Sequence, residues 1–200
     1  MNGNKINFSK EFCFLRDKRK YLHSTDIFAQ IINLKKMTKL TDLRISFKKK
    51  ISYFPFLIIN KNSLQKRNLQ SFVDFRFKVN KIFYFGCVFQ SKKKLINKKK
   101  YIEKDFQKKI KFKKNNISIP SYNKMNFIEQ ITSAAMGFLK KISPEIKTKW
   151  YLVILNLHNF IKTKKYKNLI LIPVTKNQKI ILFNITSHNK KVGDMLFLKR

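Results

Sequence analysis

The sequence predicts an α+β fold, because one amphipathic helix lies among several short apolar strands. The helix is predicted over residues 126–142, where apolar side chains recur at helical spacing through four turns. Asn126 and Glu129 have the spacing of an N-cap and capping box, and Pro144 ends the helix. The neighbouring strands are predicted at 117–120, 169–174, 179–185 and 195–198.

The first half of the chain has weaker signals for secondary structure. A helix is predicted within 21–34, opened by Ser24 or Thr25 as the N-cap. Strands are predicted at 43–47, 54–59, 72–77 and 82–89. Residues 150–161 fit a helix face and a strand equally well, so their structure stays open at this point.

Charge is the dominant property of the composition. Lys and Arg total 46 against 10 Asp and Glu, which gives a net charge of +36. Small soluble domains carry a net charge of about 2–8 in magnitude, so this chain repels itself and is expected to need a polyanionic partner. The 44% hydrophobic content argues against a disordered tail, and the charge argues against a free cytosolic enzyme for small molecules.

The sequence contains none of the usual catalytic motifs. The three histidines are scattered, four glycines do not form a phosphate-binding loop, and Cys13 and Cys87 alone do not make a zinc site. We therefore predict no enzymatic activity, no metal and no cofactor. Glu103 and Asp105 are the one close carboxylate pair away from the chain ends that would suit a metal-dependent nuclease, but the surrounding lysines favour a salt-bridged surface.

No membrane span and no secretory signal are expected. A spanning helix needs about 20 predominantly apolar residues, and the apolar runs here are shorter and closed by lysines. The abundant Lys, Asn, Ile and Phe have A+T-rich codons, which is typical of organellar genomes. This composition predicts an organelle-encoded protein of the mitochondrion.

Residues 115–200 resemble the small-subunit ribosomal protein ten family of bacterial and organellar type. The resemblance rests on the strand and Ser-Tyr-Asn step at 117–123, on Ile-Pro-Val-Thr-Lys at 172–176, and on Thr-Ser-His-Asn-Lys-Lys at 186–191. Residues 144–167 would be an insertion. The family continues beyond the position of Arg200 with a second helix and a strand, which a separate chain would have to supply.

The resemblance implies a ferredoxin-like core, possibly incomplete, with a long basic hairpin loop at about 171–194. It implies a structural constituent of the small subunit of a mitochondrial matrix ribosome, which binds rRNA in the head region beside neighbouring ribosomal proteins. Residues 1–114 would be a basic lineage-specific extension or a small rRNA-contacting module, and 115–200 the ribosomal-protein-ten-like domain.

Two sets of residues are predicted to bind RNA. Lysine clusters interleaved with aromatic residues suit phosphate neutralisation, and in the first part of the chain they are Lys92, Lys93, Lys94, Lys98, Lys99, Lys100, Lys113 and Lys114. The resemblance places a second set on the hairpin loop, namely Lys176, Lys179, His188, Lys190 and Lys191. An alternative is a basic accessory subunit of an organellar membrane complex, whose lysine-flanked apolar runs lie against anionic headgroups.

Overall fold

The computed structural model describes residues 4–9, 13, 15–16, 20–34, 39–61, 70–96, 98–99, 104–144, 149–161, 166–177 and 179–199. They divide into two compact units. Unit 1 comprises Met1–Tyr101 and His158–Lys162, and unit 2 comprises Ile102–Leu157 and Thr163–Arg200. The predicted division into an extension over 1–114 and a domain over 115–200 stays a prediction.

Unit 1 is built on an antiparallel sheet with the strand order β1-β4-β6-β5-β3. Two further short strands, β2 and β7, pair with each other in parallel. The elements are β1 (Asn4–Asn7), β2 (Leu15–Arg16), α1 (Ser24–Asn33), β3 (Lys39–Phe47), β4 (Tyr53–Lys61), β5 (Val73–Val79), β6 (Ile82–Lys94) and β7 (Lys98–Lys99). The strands predicted from the sequence all lie within β3, β4, β5 and β6, apart from Phe72.

Packing in unit 1 follows from alternation along β5 and β6. Phe75 and Phe77 are buried on one face of β5, and the Phe77 ring stacks on Tyr84 of β6 with centroids 5.3 Å apart. Gly86 lies opposite Phe75, whose ring occupies the space that a β-carbon at Gly86 would need. The aromatic layer therefore requires glycine at this position.

Helix α1 begins at Ser24, so its N-cap lies just before the two predicted caps, Ser24 and Thr25. His23 is its N-cap, and the His23 side chain accepts a hydrogen bond from the backbone N–H of Thr25. The predicted apolar face is correct, since Ile27, Phe28 and Ile31 are buried. The Phe28 ring meets Phe160 edge to face at 5.5 Å between centroids, within unit 1.

Unit 2 contains the long predicted helix and a set of antiparallel strands. Its strand order is β10-β13-β12-β11-β9-β8. The elements are α2 (Lys104–Gln107), β8 (Lys111–Phe112), β9 (Ile117–Ile119), α3 (Phe127–Ile142), β10 (Trp150–Ile161, of which 150–157 belong to unit 2), β11 (Leu169–Lys176), β12 (Ile180–Ser187) and β13 (Lys190–Lys199).

Helix α3 is enclosed by its surroundings rather than lying on a surface. The predicted capping box is confirmed, because the Asn126 side chain accepts from the Glu129 N–H and the Glu129 carboxylate accepts from the Asn126 N–H. Phe138 meets Phe183 of β12 edge to face at 5.7 Å between centroids, while Phe112 of β8 approaches Gly137. Helix α3 is therefore in contact with both β12 in the interior of the sheet and β8 at its edge.

The predicted ferredoxin-like fold class is wrong. Residues 150–157, expected to belong to an insertion, form part of β10 and pair with β13. Residues 171–194, expected as a long loop, form most of β11, β12 and β13, joined by short turns. In β12, Ile181, Phe183 and Ile185 are buried while alternate residues are not, so only an extended strand gives each apolar side chain a place in the core.

The described part of unit 2 also lacks the second packed helix of a ferredoxin-like core. After α3, all regular structure described up to residue 199 is strand. Across the described residues of both units, the structure contains no helix with the length and apolar character required to span a membrane.

Candidate functional site

The described lysines that the sequence predicted to contact RNA are exposed. Lys92, Lys93 and Lys94 end β6, and Lys113 and Lys114 occupy the turn between β8 and β9. The remaining exposed members are Lys98, Lys179, His188, Lys190 and Lys191. Lys99 and Lys176 have described backbones in β7 and β11, but their side chains, and the whole of Lys100, lie outside the described residues.

The five residues predicted on one loop are divided between two ends of the sheet in unit 2. Lys176 and Lys179 flank the turn between β11 and β12, whereas His188, Lys190 and Lys191 lie at the turn between β12 and β13. Strand β12 has eight residues and separates the two turns by roughly 25 Å at 3.3 Å per residue. His188 and Asn189 form the second turn, with φ angles of 50° and 60° that are typical of a two-residue type I′ hairpin.

Few described carboxylates neutralise this positive surface. Six of the ten acidic residues are described; Asp26 is buried and Glu129 belongs to the capping box. Asp74 forms an ion pair with Lys48, and Asp194 lies 3.8 Å from the Lys191 ammonium. The other two described carboxylates, Asp42 and Asp105, are exposed. Glu103, the predicted partner of Asp105, lies outside the described residues, so that pair stays a prediction.

A polar network ties Lys48 to the start of β5. Ser71 donates a hydrogen bond of 2.5 Å to the Asp74 carboxylate, and the Lys48 ammonium lies 3.1 Å from the Ser71 hydroxyl. Burial raises the pKa of Asp74, but hydrogen bonds from Lys48, Ser71 and Cys87 and the charge of Lys48 outweigh it and lower the pKa below its usual value. Asp74 therefore stabilises the fold at neutral pH, and this contribution is lost as the pH falls through its lowered pKa.

A second polar group, the α1 polar cluster, consists of Cys13, His23, Thr25, Asp26 and Gln30. The Asp26 side chain is only 2% exposed, although a buried carboxylate is costly without polar partners. His23 Nδ1 lies 2.7 Å from the Thr25 hydroxyl, and the Gln30 side-chain oxygen accepts a 3.0 Å hydrogen bond from the Ser9 N–H. An imidazole and a hydroxyl thus meet at the beginning of α1, Asp26 lies in its first turn, and Gln30 lies two-thirds of the way along the helix.

The chemistry of the α1 polar cluster is limited by its hydrogen bonds. Burial and the Asp26 charge raise the pKa of Cys13 to about 11, so this thiol is protonated at neutral pH and is a poor nucleophile. The backbone N–H groups of Asp26 and Ile27 donate to the His23 carbonyl at 3.1 and 3.2 Å, and the Thr25 N–H donates to the His23 ring. The backbone amides of Thr25, Asp26 and Ile27 are therefore occupied. Within the cluster, Asp26 and His23 are the groups suited to acid–base chemistry.

Sequence reasoning missed the α1 polar cluster. Cys13 and Asp26 are separated along the chain, and neither belongs to a motif. The available signal was the run Ser-Thr-Asp at 24–26 followed by Gln30 on the apolar side of a predicted helix, where three of the four side chains are buried. Among the residues that the structure describes, no group of three or more His, Cys, Asp or Glu side chains is placed to hold a metal ion.

Comparison with known proteins gives structural matches alone. No protein-family model matches the chain, and no curated protein matches it. Similar solved structures include an acyl-ACP thioesterase from Bacteroides thetaiotaomicron (9% identity, 98% of this chain and 96% of that chain, TM-score 0.41). Another is the tesB protein of Mycobacterium avium subs paratuberculosis (8% identity, 94% of this chain and 91% of that chain, TM-score 0.47). A third is a putative thioesterase II from Thermobifida fusca (8% identity, 100% of this chain and 92% of that chain, TM-score 0.45).

These findings correct the assignment made from the sequence. The ribosomal protein ten resemblance is wrong, because the described part of residues 115–200 forms one long helix and antiparallel strands without the second packed helix of the implied fold. The ribosomal function and the rRNA and ribosomal-protein partners that followed from it are contradicted as well. The expectation that the chain is not an enzyme is contradicted as well. TM-scores below 0.5 at 8–9% identity do not transfer an activity to this chain.

Proposed function

We propose that this chain binds anionic polymers or anionic surfaces through its exposed lysines. The observation that supports the proposal is that lysine clusters stand exposed at several turns and strand ends, with few described carboxylates beside them. Most clusters contain consecutive lysines, such as Lys92–Lys94 and Lys190–Lys191, rather than alternating charges. A lysine ammonium is a compact point charge, so the proposed binding depends on charge density and not on ligand sequence.

The mechanism is charge neutralisation with release of counterions. Each lysine that contacts an anionic group displaces a condensed cation from a polyanion, which makes the affinity fall steeply with salt. Binding also relieves the self-repulsion of a chain with a net charge of +36. The predicted mitochondrial location stays a prediction, and it would supply both anionic polymers and anionic lipids.

Titration of the full-length protein with fluorescently labelled heparin, at about 50 to 200 mM salt, tests the proposal. Wild type is expected to bind with a strongly negative slope of log affinity against log salt. Replacing Lys92, Lys93 and Lys94 together by Gln is expected to weaken binding and to reduce the slope by up to about 3 units, roughly one per lost contact. The matched control replaces the same three lysines by Arg and should retain the wild-type slope. Absent or salt-independent binding would refute the proposal.

A second candidate function is acyl-thioester hydrolysis at the α1 polar cluster. It is favoured by one observation, the buried Asp26 carboxylate in the first turn of α1, where His23 Nδ1 also lies 2.7 Å from the Thr25 hydroxyl. A desolvated carboxylate is a strong general base that can activate water against a carbonyl. The thioesters named for the matched structures provide the first substrates to assay. This candidate ranks second because the Thr25, Asp26 and Ile27 amides in the first turn of α1 are already hydrogen-bonded to His23 and are not available to an oxyanion.

Asp26→Asn is expected to lower kcat for acyl-CoA hydrolysis by at least about 100-fold, because it removes the base while keeping the side-chain shape. The matched control is Asp42→Asn, which changes an exposed carboxylate in β3 of the same unit and should retain wild-type kcat. The measurement is release of free CoA by purified protein. Hydrolysis that is undetectable in wild type, or equal in wild type and Asp26→Asn, would reject the second candidate.

A further inference from the structure

The hairpin between β11 and β12 concentrates exposed aliphatic side chains. Ile172, Val174 and Ile180 are 38%, 53% and 36% exposed. Among the residues that the structure describes, seven large hydrophobic side chains are at least 36% exposed. Three of the seven lie within nine consecutive positions of this one hairpin. We call residues 172–177 and 179–182 the β11–β12 tip. Such clustering in one place marks a contact surface, whereas isolated exposed aliphatics need no explanation.

The register of the sheet puts two of these side chains on one face. Ile172 pairs with Asn184, and Ile180 pairs with Leu198 of β13, on the face opposite the buried Leu171 and Phe183. Val174 is the extra residue at the register shift between Pro173 and Thr175, so it occupies a β-bulge. The half-buried Leu182 and Leu198 extend the aliphatic surface away from the turn.

Hydrogen bonds hold the β11–β12 tip in a defined shape. The Asn177 side-chain oxygen accepts from the N–H groups of Lys179 and Ile180 at 2.9 and 2.6 Å. The Asn177 N–H donates to the Ile180 carbonyl at 3.1 Å, and the Lys199 N–H donates to the Lys179 carbonyl at 2.8 Å. The third strand thus supports the turn, and the exposed aliphatics need no ordering before they contact a partner.

The surroundings of the β11–β12 tip are basic. No Asp or Glu occurs between residues 169 and 187. Antiparallel pairing brings the end of β11, the start of β12, the end of β13 and the start of β10 to the same end of the sheet. That end therefore gathers Lys176, Lys179, Lys199 and, just before β10, Lys149. Lys149 and Lys179 are exposed.

We infer that the β11–β12 tip inserts its aliphatic side chains into the headgroup region of an anionic lipid bilayer, while the surrounding lysines contact lipid phosphates. This inference rests on the proposed binding of anionic surfaces and adds a specific surface and an insertion step. Aliphatic side chains gain by entering the acyl boundary, and each lysine near an anionic leaflet adds attraction. A free polyanion such as heparin explains the lysines but gives the three exposed aliphatics no partner.

A second copy of this chain is a less suitable occupant of the same surface. Two tips facing each other would bring lysine against lysine, on molecules that each carry a net charge of +36. Like charges brought together at an interface oppose association. An anionic bilayer instead matches both properties of the tip, since it is apolar inside and negatively charged at its surface.

The test compares full-length protein on sucrose-loaded vesicles of phosphatidylcholine alone and of phosphatidylcholine with about 30% phosphatidylserine. Wild type is expected to sediment with the anionic vesicles and not with the neutral ones. The double variant V174S/I180S is expected to lose about tenfold in vesicle affinity, because the lysines remain and the insertion is lost. The matched control is I96S/I142S, which changes two aliphatics that are 73% and 45% exposed elsewhere, and it should bind vesicles like wild type.

A second measurement detects insertion directly and does not depend on loss of affinity. In V174W, the new indole is expected to be quenched by brominated lipids in anionic vesicles beyond the quenching of wild type, whose single Trp150 is buried. Heparin binding of V174S/I180S should equal that of wild type, which keeps the inference separate from the proposed function.

Three outcomes would overturn the inference. The first is equal vesicle binding by V174S/I180S and wild type, and the second is vesicle-bound V174W without extra quenching. In both cases salt-dependent heparin binding would leave the proposed function standing. The third is a concentration-dependent dimer, seen by light scattering after gel filtration, that V174S/I180S abolishes. That result would identify a second copy as the occupant. Failure to bind both vesicles and heparin would remove the proposed function as well.

Discussion

Replacing Phe183 by alanine is expected to lower the free energy of unfolding by about 3–5 kcal/mol. Phe183 is fully buried in β12, and its ring meets Phe138 of α3 and Phe197 of β13 edge to face, with centroids 5.7 and 5.9 Å apart. The side chain thus joins the enclosed helix to two strands of the sheet. Its removal leaves a cavity that the surrounding rings fill only in part, and it also loses two aromatic contacts.

Guanidinium denaturation followed by the fluorescence of Trp150 measures this effect. Trp150 is the single tryptophan of the sequence and begins β10 in unit 2, so its signal reports on the unit that contains Phe183. The matched control is Ile142→Ala at the end of α3, where a side chain 45% exposed should cost no more than about 0.5 kcal/mol. A loss below about 1 kcal/mol for Phe183→Ala would contradict the packing described for unit 2.

Replacing Gly193 by alanine is expected to cost about 1–3 kcal/mol in the same experiment. Gly193 lies in β13 between Leu157 of β10 and Ile185 of β12. A β-carbon at this position would overlap the backbone carbonyl oxygen of Asn156 and press on the Leu157 side chain. A backbone oxygen cannot rotate away as a side chain does, so the alanine must be accommodated by displacing β10 from β13.

Gly137→Ala in α3 provides the contrast for Gly193→Ala. The nearest atom to a β-carbon at Gly137 is the tip of the Phe112 ring at 3.2 Å, which is a side chain that can shift by a few tenths of an ångström. Alanine is also favoured over glycine inside a helix by about 1 kcal/mol. Gly137→Ala should therefore be neutral or stabilising. A Gly193→Ala protein as stable as wild type would mean that β10 and β13 do not pair in the described register.

Local signals in the sequence predicted local structure well. Helix α3 was located to within one residue, because its apolar spacing, its Asn126–Glu129 capping box and Pro144 all lie within the segment itself. Strand positions were also predicted, but their partners were not. The segment 150–161 shows why: its apolar run fits a helix or a strand, and pairing with β13, some forty residues further along the chain, decides between them.

The fold class failed at the segment where motif matching was preferred over periodicity. The apolar run at 179–185 predicted a strand, which β12 confirms, yet the resemblance carried by 172–176 and 186–191 implied a long loop over the same residues. His188 and Asn189 illustrate the same error, since they form a two-residue hairpin turn and not the tip of a long loop. The short matched motifs were here a poorer guide than the run of apolar and β-branched residues that predicted the strand.

The candidate sites differ in how far a sequence can reveal them. Exposure of the lysine clusters was predictable, because ammonium groups are rarely buried without partners. The α1 polar cluster was not predictable from the sequence, since only the packing of the chain brings Cys13 within range of electrostatic interaction with Asp26. The β11–β12 tip was not predictable either, because Ile172, Val174 and Ile180 are of the same residue types as core positions. Only the folded sheet shows that no described residue covers their side chains.

The length of β12 has a consequence for ligand size. Its two ends carry separate basic groups, Lys176 and Lys179 at one turn and Lys190 and Lys191 at the other, and a hydrogen-bonded strand between two neighbours cannot shorten. A small anion occupies one end at a time, whereas an extended anion that reaches across roughly 25 Å engages both ends and gains the effective concentration of a bivalent ligand. The length of β12 therefore sets the minimum length of a bivalent ligand. The avidity of unit 2 should rise abruptly once an anionic chain is long enough to reach both ends of the strand.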